Sequence, residues 1–323
     1  MKLHRKIPGE PDTATTAAAA PQPAVSVAVA IEQPLAIRLA MGFTILVLLG
    51  LTAFLAGRFL LMHDAASATE LISETLSDRL FWSAIAVGLL AQAIDGALGM
   101  AYGVTSTTFL LTAGASPAMA SASVHIAEVF TTGASGISHA KLGNVDKKLF
   151  LRLLVPGIIG AVLGAILITQ IDGKAMKPFI SAYLLVMGVY ILSKVWRAIR
   201  VRNSEPRHVG KLALFGGFVD AAGGGGWGPV VTTTLVGSGN DPRKTIGSVN
   251  FAEFFLALAG AATFTLLATS GVWVLVLGLV IGGLFAAPFA AWMTQSLQPR
   301  TLLILVGTLI TFISAFNLYQ SLL

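Results

Sequence analysis

"GGFVDAAGGGGWGPVVTTTLV", Gly216–Val236, crowds five glycines into Gly223–Gly228 in the middle of an apolar run. As letters, Gly223, Gly225 and Gly228 fit G-x-G-x-x-G, but a dinucleotide site needs that pattern between a strand and a helix of a βαβ unit. The flanking sequence is of another kind. The chain has 323 residues, 55% of them hydrophobic and 11% charged, and a mean hydropathy of +0.81. Soluble domains carry about 25% charged residues. Leu39–Gly57, Leu80–Ile94, Leu153–Ile171, Pro178–Ser193, Phe254–Pro299 and Thr301–Leu323 contain no charged residue, and a membrane helix needs roughly 20 apolar residues. The composition is that of an integral membrane protein with several crossing helices.

No cysteine is present, which excludes disulfides, thiolate metal sites and cysteine nucleophiles. Residues 1–36 are rich in Ala, Pro and Thr after a basic start of Lys2, Arg5 and Lys6, the composition of a disordered tail. Residues 37–62 form an apolar run longer than the roughly 7–15 residues of a signal-peptide core. We read them as a retained transmembrane helix.

An internal repeat organises the rest. Sliding the chain so that Asp95 falls on Asp220 aligns Gln92–Phe130 with Gly217–Phe255 without a gap. Asp95/Asp220, Gly99/Gly224, Gly103/Gly228, Thr107/Thr232, Thr108/Thr233, Pro117/Pro242, Ser123/Ser248, Ala127/Ala252 and Glu128/Glu253 are identical in the two copies, and Tyr102 meets Trp227. Both copies read D-x-A-x-G-x-x-[YW]-G, then T-T, P and S-V-x-x-A-E. The boundaries expected are 78–200 for the first repeat and 210–323 for the second.

Loop charges orient the repeats, because Lys and Arg concentrate on the cytoplasmic side. Lys194, Arg197, Arg200, Arg202, Arg207 and Lys211 form the richest basic loop, and Lys141, Lys147, Lys148 and Arg152 the second. Two crossings separate these clusters, so both lie inside, as does the basic N-terminal tail. If each glycine-rich segment crossed once, Arg243, Lys244 and Arg300 would lie outside. If each dips in and returns by the same face, the conflict disappears. The expectation is therefore an all-α membrane protein of two inverted repeats. Each holds one glycine-broken re-entrant hairpin, about Leu80–Ala113 or Leu212–Ser238, and three transmembrane helices, and the extra N-terminal helix brings the crossings to seven.

Non-helical backbone at membrane depth survives where protein buries it or where it lines a watery cavity, and inverted-repeat transporters place substrate at such breaks. Gly223–Gly228 is the expected break, with "GMAYG", Gly99–Gly103, at the matching place in the other half. Pro229 suits the first turn of the following half-helix, whose N–H groups and dipole would favour an anion. The competing reading is that these glycines only let helices pack closely.

The motifs "HIAEVFTTGASGISHAKLGNVD", His125–Asp146, and Gly216–Val236, in this order and spacing, resemble the TauE/SafE sulfite exporter family of membrane permeases. The resemblance covers about Leu80–Leu323 and says nothing of the tail and first helix. It implies movement of sulfur-containing anions such as sulfite, sulfoacetate and other organosulfonates through the inner (plasma) membrane.

Ionisable groups within membrane helices cost roughly 2.5–3.5 kcal/mol each on insertion scales and mark functional sites or partners. Asp95, Glu128, Asp220 and Glu253 form two symmetric pairs, and His125 with Glu128, like Asn250 with Glu253, share a helix face at a spacing of three. Expected substrate contacts are Gly99, Gly103, Thr107, Thr108, His125, Gly224, Gly225, Gly226, Gly228, Thr232, Thr233 and Asn250. Four carboxylates would repel an anion, which leaves two readings open. The acids are neutral or hydrogen-bonded to the hairpin backbone, or they carry protons and couple transport to the proton gradient. A structural role for Glu128, Glu253, His125 and His139, tying helices together, is the bland alternative.

The runner-up is a divalent metal transporter using His125, His139 and the carboxylates, but His-x-x-Glu occurs once and its counterpart is Asn250, a thin ligand set. Nothing in the spacing of His and Ser marks a catalytic dyad, so neither enzyme activity nor a cofactor is expected. The net charge of +6 follows from positive-inside loops and implies no nucleic acid. The oligomeric state stays open, with a homodimer as one arrangement.

Overall fold

In a computed structural model, residues 33–193, 208–267, 273–293 and 299–322 are described. The expected tail, up to residue 32, and the basic loop at 194–207 fall outside them. Among the described residues the regular secondary structure is all helical. In chain order the helices are α1 (Leu35–Met62), α2 (Ala65–Ser77), α3 (Arg79–Leu98), α4 (Tyr102–Thr112), α5 (Pro117–Lys141), α6 (Lys147–Gln170) and α7 (Gly173–Ser193). Then come α8 (Val209–Gly223), one π-helical turn (Gly228–Thr232), α9 (Thr233–Gly237), α10 (Pro242–Leu266), α11 (Trp273–Met293) and α12 (Pro299–Leu322).

Six of these, α1, α3, α6, α7, α10 and α11, are long and apolar enough to cross a membrane by length and composition. Helix α5 is as long as α10, at 25 residues, but its serines, threonines, histidines and Glu128 make it more polar. Its partners explain how such a helix is housed, since seventeen of its positions, including His125, Glu128 and His139, are buried by other helices. Leu151, Val155, Ile159, Leu163, Phe285 and Phe289 instead point outward, as lipid-facing side chains do.

Local signals set the helix ends. Ser116 accepts a hydrogen bond from Met119 N before Pro117 opens α5, and Asp241 accepts one from Lys244 N before Pro242 opens α10. The two caps occupy the same place in the repeat, each satisfying an otherwise orphaned N–H. Gly143 turns the chain between α5 and α6 at φ +71°, and Asp146 caps α6 through Leu149 N at 2.7 Å. Helix α2 was not anticipated. Asp64 caps it through Ser67 N, a signal present in the sequence, but its residues are all unburied and its short apolar pattern is easily passed over.

Close glycine contacts give the helix directions. Gly136 lies against Phe251, Gly133 against Phe254 and Gly260 against the His125 ring, so α5 and α10 run antiparallel. At one end of this pair Lys244 Nζ donates to Gly143 O at 2.6 Å and Asp146 N donates to Ser248 Oγ at 2.8 Å. Helices α7 and α12 are also antiparallel, with Gly188 on Thr311 and Gly307 on Leu192. By contrast α6 and α8 run parallel, with Gly160 on Leu214 and Gly164 on Phe218, as do α3 and α11, with Gly88 on Leu279 and Gly96 on Ala290. Phe150 stacks on Phe251 with ring centroids 5.1 Å apart, and Gly157 meets Leu256, so α10 runs with α6 and α8. Small residues at these crossings admit the backbone approach that membrane helices use in place of a hydrophobic drive.

Candidate functional site

The helices break where the two glycine-rich segments lie. Helix α8 ends at Gly223, Gly224 and Gly225 take φ of +70° and +138°, and helix resumes at Trp227. Helix α3 ends at Leu98, followed by Gly99 at +67° and Ala101 at +93° before α4 begins. Positive φ is open to glycine and strained for Ala101.

The two breaks touch each other. Gly103 lies on the backbone of Gly225, and Gly228 on that of Met100. Thr107 donates to Gly224 O, and Thr232 lies on Gly99. Under the repeat register each contact of one pair becomes the other, so the contacts repeat about a common centre.

The paired acids meet partners from the opposite half. Asn250 Nδ2 on α10 donates to Asp95 Oδ2 at 2.7 Å, and His125 Nε2 on α5 lies 3.4 Å from Asp220 Oδ2. Asp220 Oδ1 accepts from Gly226 N and Trp227 N at 2.7 and 2.9 Å, and Asp95 accepts a backbone hydrogen bond from Tyr102. Each aspartate thus caps the half-helix that follows its own break. The N–H groups of Gly226 and Trp227, at the start of the second half-helix, are engaged by Asp220.

Other expected contacts are engaged too. Thr108 and Thr233 donate to the carbonyls of Val104 and Pro229 in their own helices. Thr232 Oγ1, both carboxylate oxygens of Glu128, Oε2 of Glu253 and Oδ1 of Asn250 are buried without a hydrogen-bond partner. Buried polar groups are normally paired, so an incoming polar group could gain hydrogen bonds here. His139 is not part of it, because Nε2 donates to Gly96 O at 2.9 Å while Asn144 Nδ2 approaches Nδ1 at 3.2 Å. The two-histidine ligand set is not assembled. A ring nitrogen of His125 and carboxylate oxygens of Glu128 and Asp220 do lie within 4.8 Å of one another.

Several neighbours escaped the sequence reading. Tyr183 OH donates to Gly225 O at 2.7 Å, Tyr190 OH sits 2.8 Å from Thr233 Oγ1, and Ser121 Oγ donates to Ala221 O at 2.6 Å. Gln92, at the start of the aligned repeat, is buried with its amide unpartnered. The tyrosines lie on an apolar helix outside the gap-free alignment, with no duplicated motif to mark them.

The model of the sulfite exporter TauE/SafE family matches residues 84–317, a span holding both breaks and all four acids. The chain belongs to the TauE/SafE family. A probable membrane transporter protein, YtnM of Bacillus subtilis (strain 168), is 47% identical over 242 residues, covering 72% of this chain and 80% of the relative. No solved structure matches. The chain is accordingly a multi-pass membrane transporter of this family.

Proposed function

We propose that this transporter is a secondary permease for a small sulfur-containing anion, such as sulfite, sulfoacetate or another organosulfonate, with proton coupling. It works by exposing one midplane site alternately to the two faces of the inner membrane, with the N-terminus cytoplasmic. In this reading residues 78–200 and 210–323 are inverted repeats and the two broken segments are re-entrant hairpins. The antiparallel pairs α5/α10 and α7/α12, each joining equivalent members of the two repeats, support inversion. Because α8 and α10 run parallel, the chain between Gly223 and Pro242 has to return toward the side from which α8 set out, which supports a hairpin.

The observation that carries the proposal is the meeting of the two breaks beside buried, unpartnered polar atoms. A solute seated there would contact both halves at once, which alternating access about a fixed site requires. Thr232, Asn250, His125 and the backbone of Gly99, Gly103, Gly224 and Gly228 are the proposed contacts, and Asp95, Glu128, Asp220 and Glu253 govern coupling. The test is uptake of labelled sulfite, sulfoacetate and taurine by proteoliposomes, with and without an imposed pH gradient. Saturable uptake of at least one supports the reading; no uptake of any overturns it.

A further inference from the structure

We infer that His125 and Asp220 together hold one exchangeable proton, and that the repeat-related pair, Asn250 and Asp95, holds no such shared proton. This rests on the permease reading for its role in transport, but the proton itself follows from hydrogen-bond chemistry. His125 Nδ1 lies 2.9 Å from Ser121 O. A carbonyl oxygen only accepts, so Nδ1 carries a hydrogen. In a neutral ring the other nitrogen, Nε2, is then a bare acceptor; it is buried without a hydrogen-bond partner and lies 3.4 Å from Asp220 Oδ2. An ionised carboxylate is also acceptor-only. Two buried acceptors face each other, and one proton between them turns a repulsive contact into a hydrogen bond.

Asp220 Oδ1 already accepts two backbone N–H groups, so the place left for the proton is the Nε2–Oδ2 line. With the proton on Nε2 the pair is imidazolium and carboxylate; with it on Oδ2 both groups are neutral. Either way the net charge of the pair is zero, and loss of the proton leaves one negative charge.

The surroundings amplify that change. Glu128 on the same helix is within 4.8 Å, and Asp95 on α3 and Glu253 on α10 act on the same centre. Tyr102 on α4 faces Glu128, and Tyr183 on α7 reaches the break at Gly225. Helix α11 brings no titratable group, and the basic residues of α6 lie in its first turns. No Lys or Arg is among the buried charged residues described. Loading the pair is therefore a local way to lessen the repulsion that an entering anion meets, and the same carboxylate holds the N–H groups of the second break.

The repeat supplies the contrast. At the equivalent place, Asn250 donates an amide hydrogen to Asp95 Oδ2 at 2.7 Å, and an amide does not titrate in this way. One of the two pairs between the halves shares a proton; the other has the amide hydrogen in its stead.

Nitrogen-15 NMR of histidine-labelled full-length protein tests the proton without requiring flux. The His125 signals, assigned by their loss in His125→Asn, should show Nε2 protonated or in a strong hydrogen bond, and Asp220→Asn should shift them to a neutral ring. A bare Nε2 in the wild type, or signals indifferent to Asp220→Asn, overturns the proposal. So does one equivalent of tightly held divalent metal that His125→Asn releases. In proteoliposomes, the accumulation of anion driven by a pH gradient should be lost in His125→Asn; full gradient-driven accumulation there also overturns it. If no anion moves in the wild type, the permease reading fails while the NMR result still decides the proton.

Discussion

Gly103 and Gly225 meet backbone to backbone, with the added Cβ of either falling on main-chain atoms of the opposite break. Two chain breaks that approach this closely leave no room for a side chain between them, and the junction is set by atoms every residue has. What varies is whether a residue permits the contact.

Gly225→Ala is accordingly a severe change. The new methyl would strike Val104 N and Gly103, at φ +138°, and overpacking of this kind costs about 1–3 kcal/mol before the strain of positive φ is counted. We expect normal membrane insertion, a lower melting temperature and loss of uptake. Gly237→Ala, where nothing lies within 4 Å, serves as the matched control and should change stability by less than about 0.5 kcal/mol. Wild-type uptake in Gly225→Ala would argue against a transport role for the junction.

Removing the cap should separate structure from chemistry. Asp220→Ala leaves Gly226 N and Trp227 N without their acceptor, and an unsatisfied buried donor costs about 1–3 kcal/mol. Asp220→Asn keeps an acceptor oxygen for them. We expect the melting temperature to fall in the first and to recover largely in the second, while gradient-driven transport is absent from both. Thermal unfolding followed by circular dichroism reads the first effect and proteoliposome uptake the second.

Glu128 and Glu253 are both buried with unpartnered oxygens. Glu128→Gln and Glu253→Gln are expected to change the pH profile of uptake, since a glutamine keeps the shape but cannot exchange a proton. Identical profiles for wild type and both variants would remove these residues from coupling and leave them a packing role.

The absence of cysteine makes topology directly measurable. Lys141→Cys and Gly237→Cys are expected to react with a membrane-impermeant thiol reagent from the cytoplasmic face. Thr112→Cys, which stands at the repeat position equivalent to Gly237, should react only from the opposite face. Labelling of Thr112→Cys and Gly237→Cys from the same side would contradict inversion of the repeats.

The positions of both breaks and the four acids were legible in the sequence because the repeat writes each of them twice. The pairing of His125 with Asp220 and of Asn250 with Asp95 was not, because helical periodicity relates residues on one helix and is silent about contacts between halves. His125 and Glu128 do share a helix, yet the Nε2 of His125 lies against Asp220 of α8. The sequence left open whether the N–H groups of the second break meet substrate or a carboxylate. That Asp220 occupies two of them depends on the chain turning back on its own carboxylate, a geometry that spacing alone does not reveal.

The two breaks are built from different materials. Where the second has Gly224, Gly225 and Gly226, the first has Gly99, Met100 and Ala101, and Ala101 holds φ +93° without the freedom of glycine. Glycine loses more backbone entropy on ordering than other residues, by roughly 0.5–1 kcal/mol relative to alanine. Melting the second break therefore recovers more disorder than melting the first, while Ala101 stores strain that loosening would release. Two surfaces that meet through equivalent positions are thus unlike in what it takes to loosen each of them.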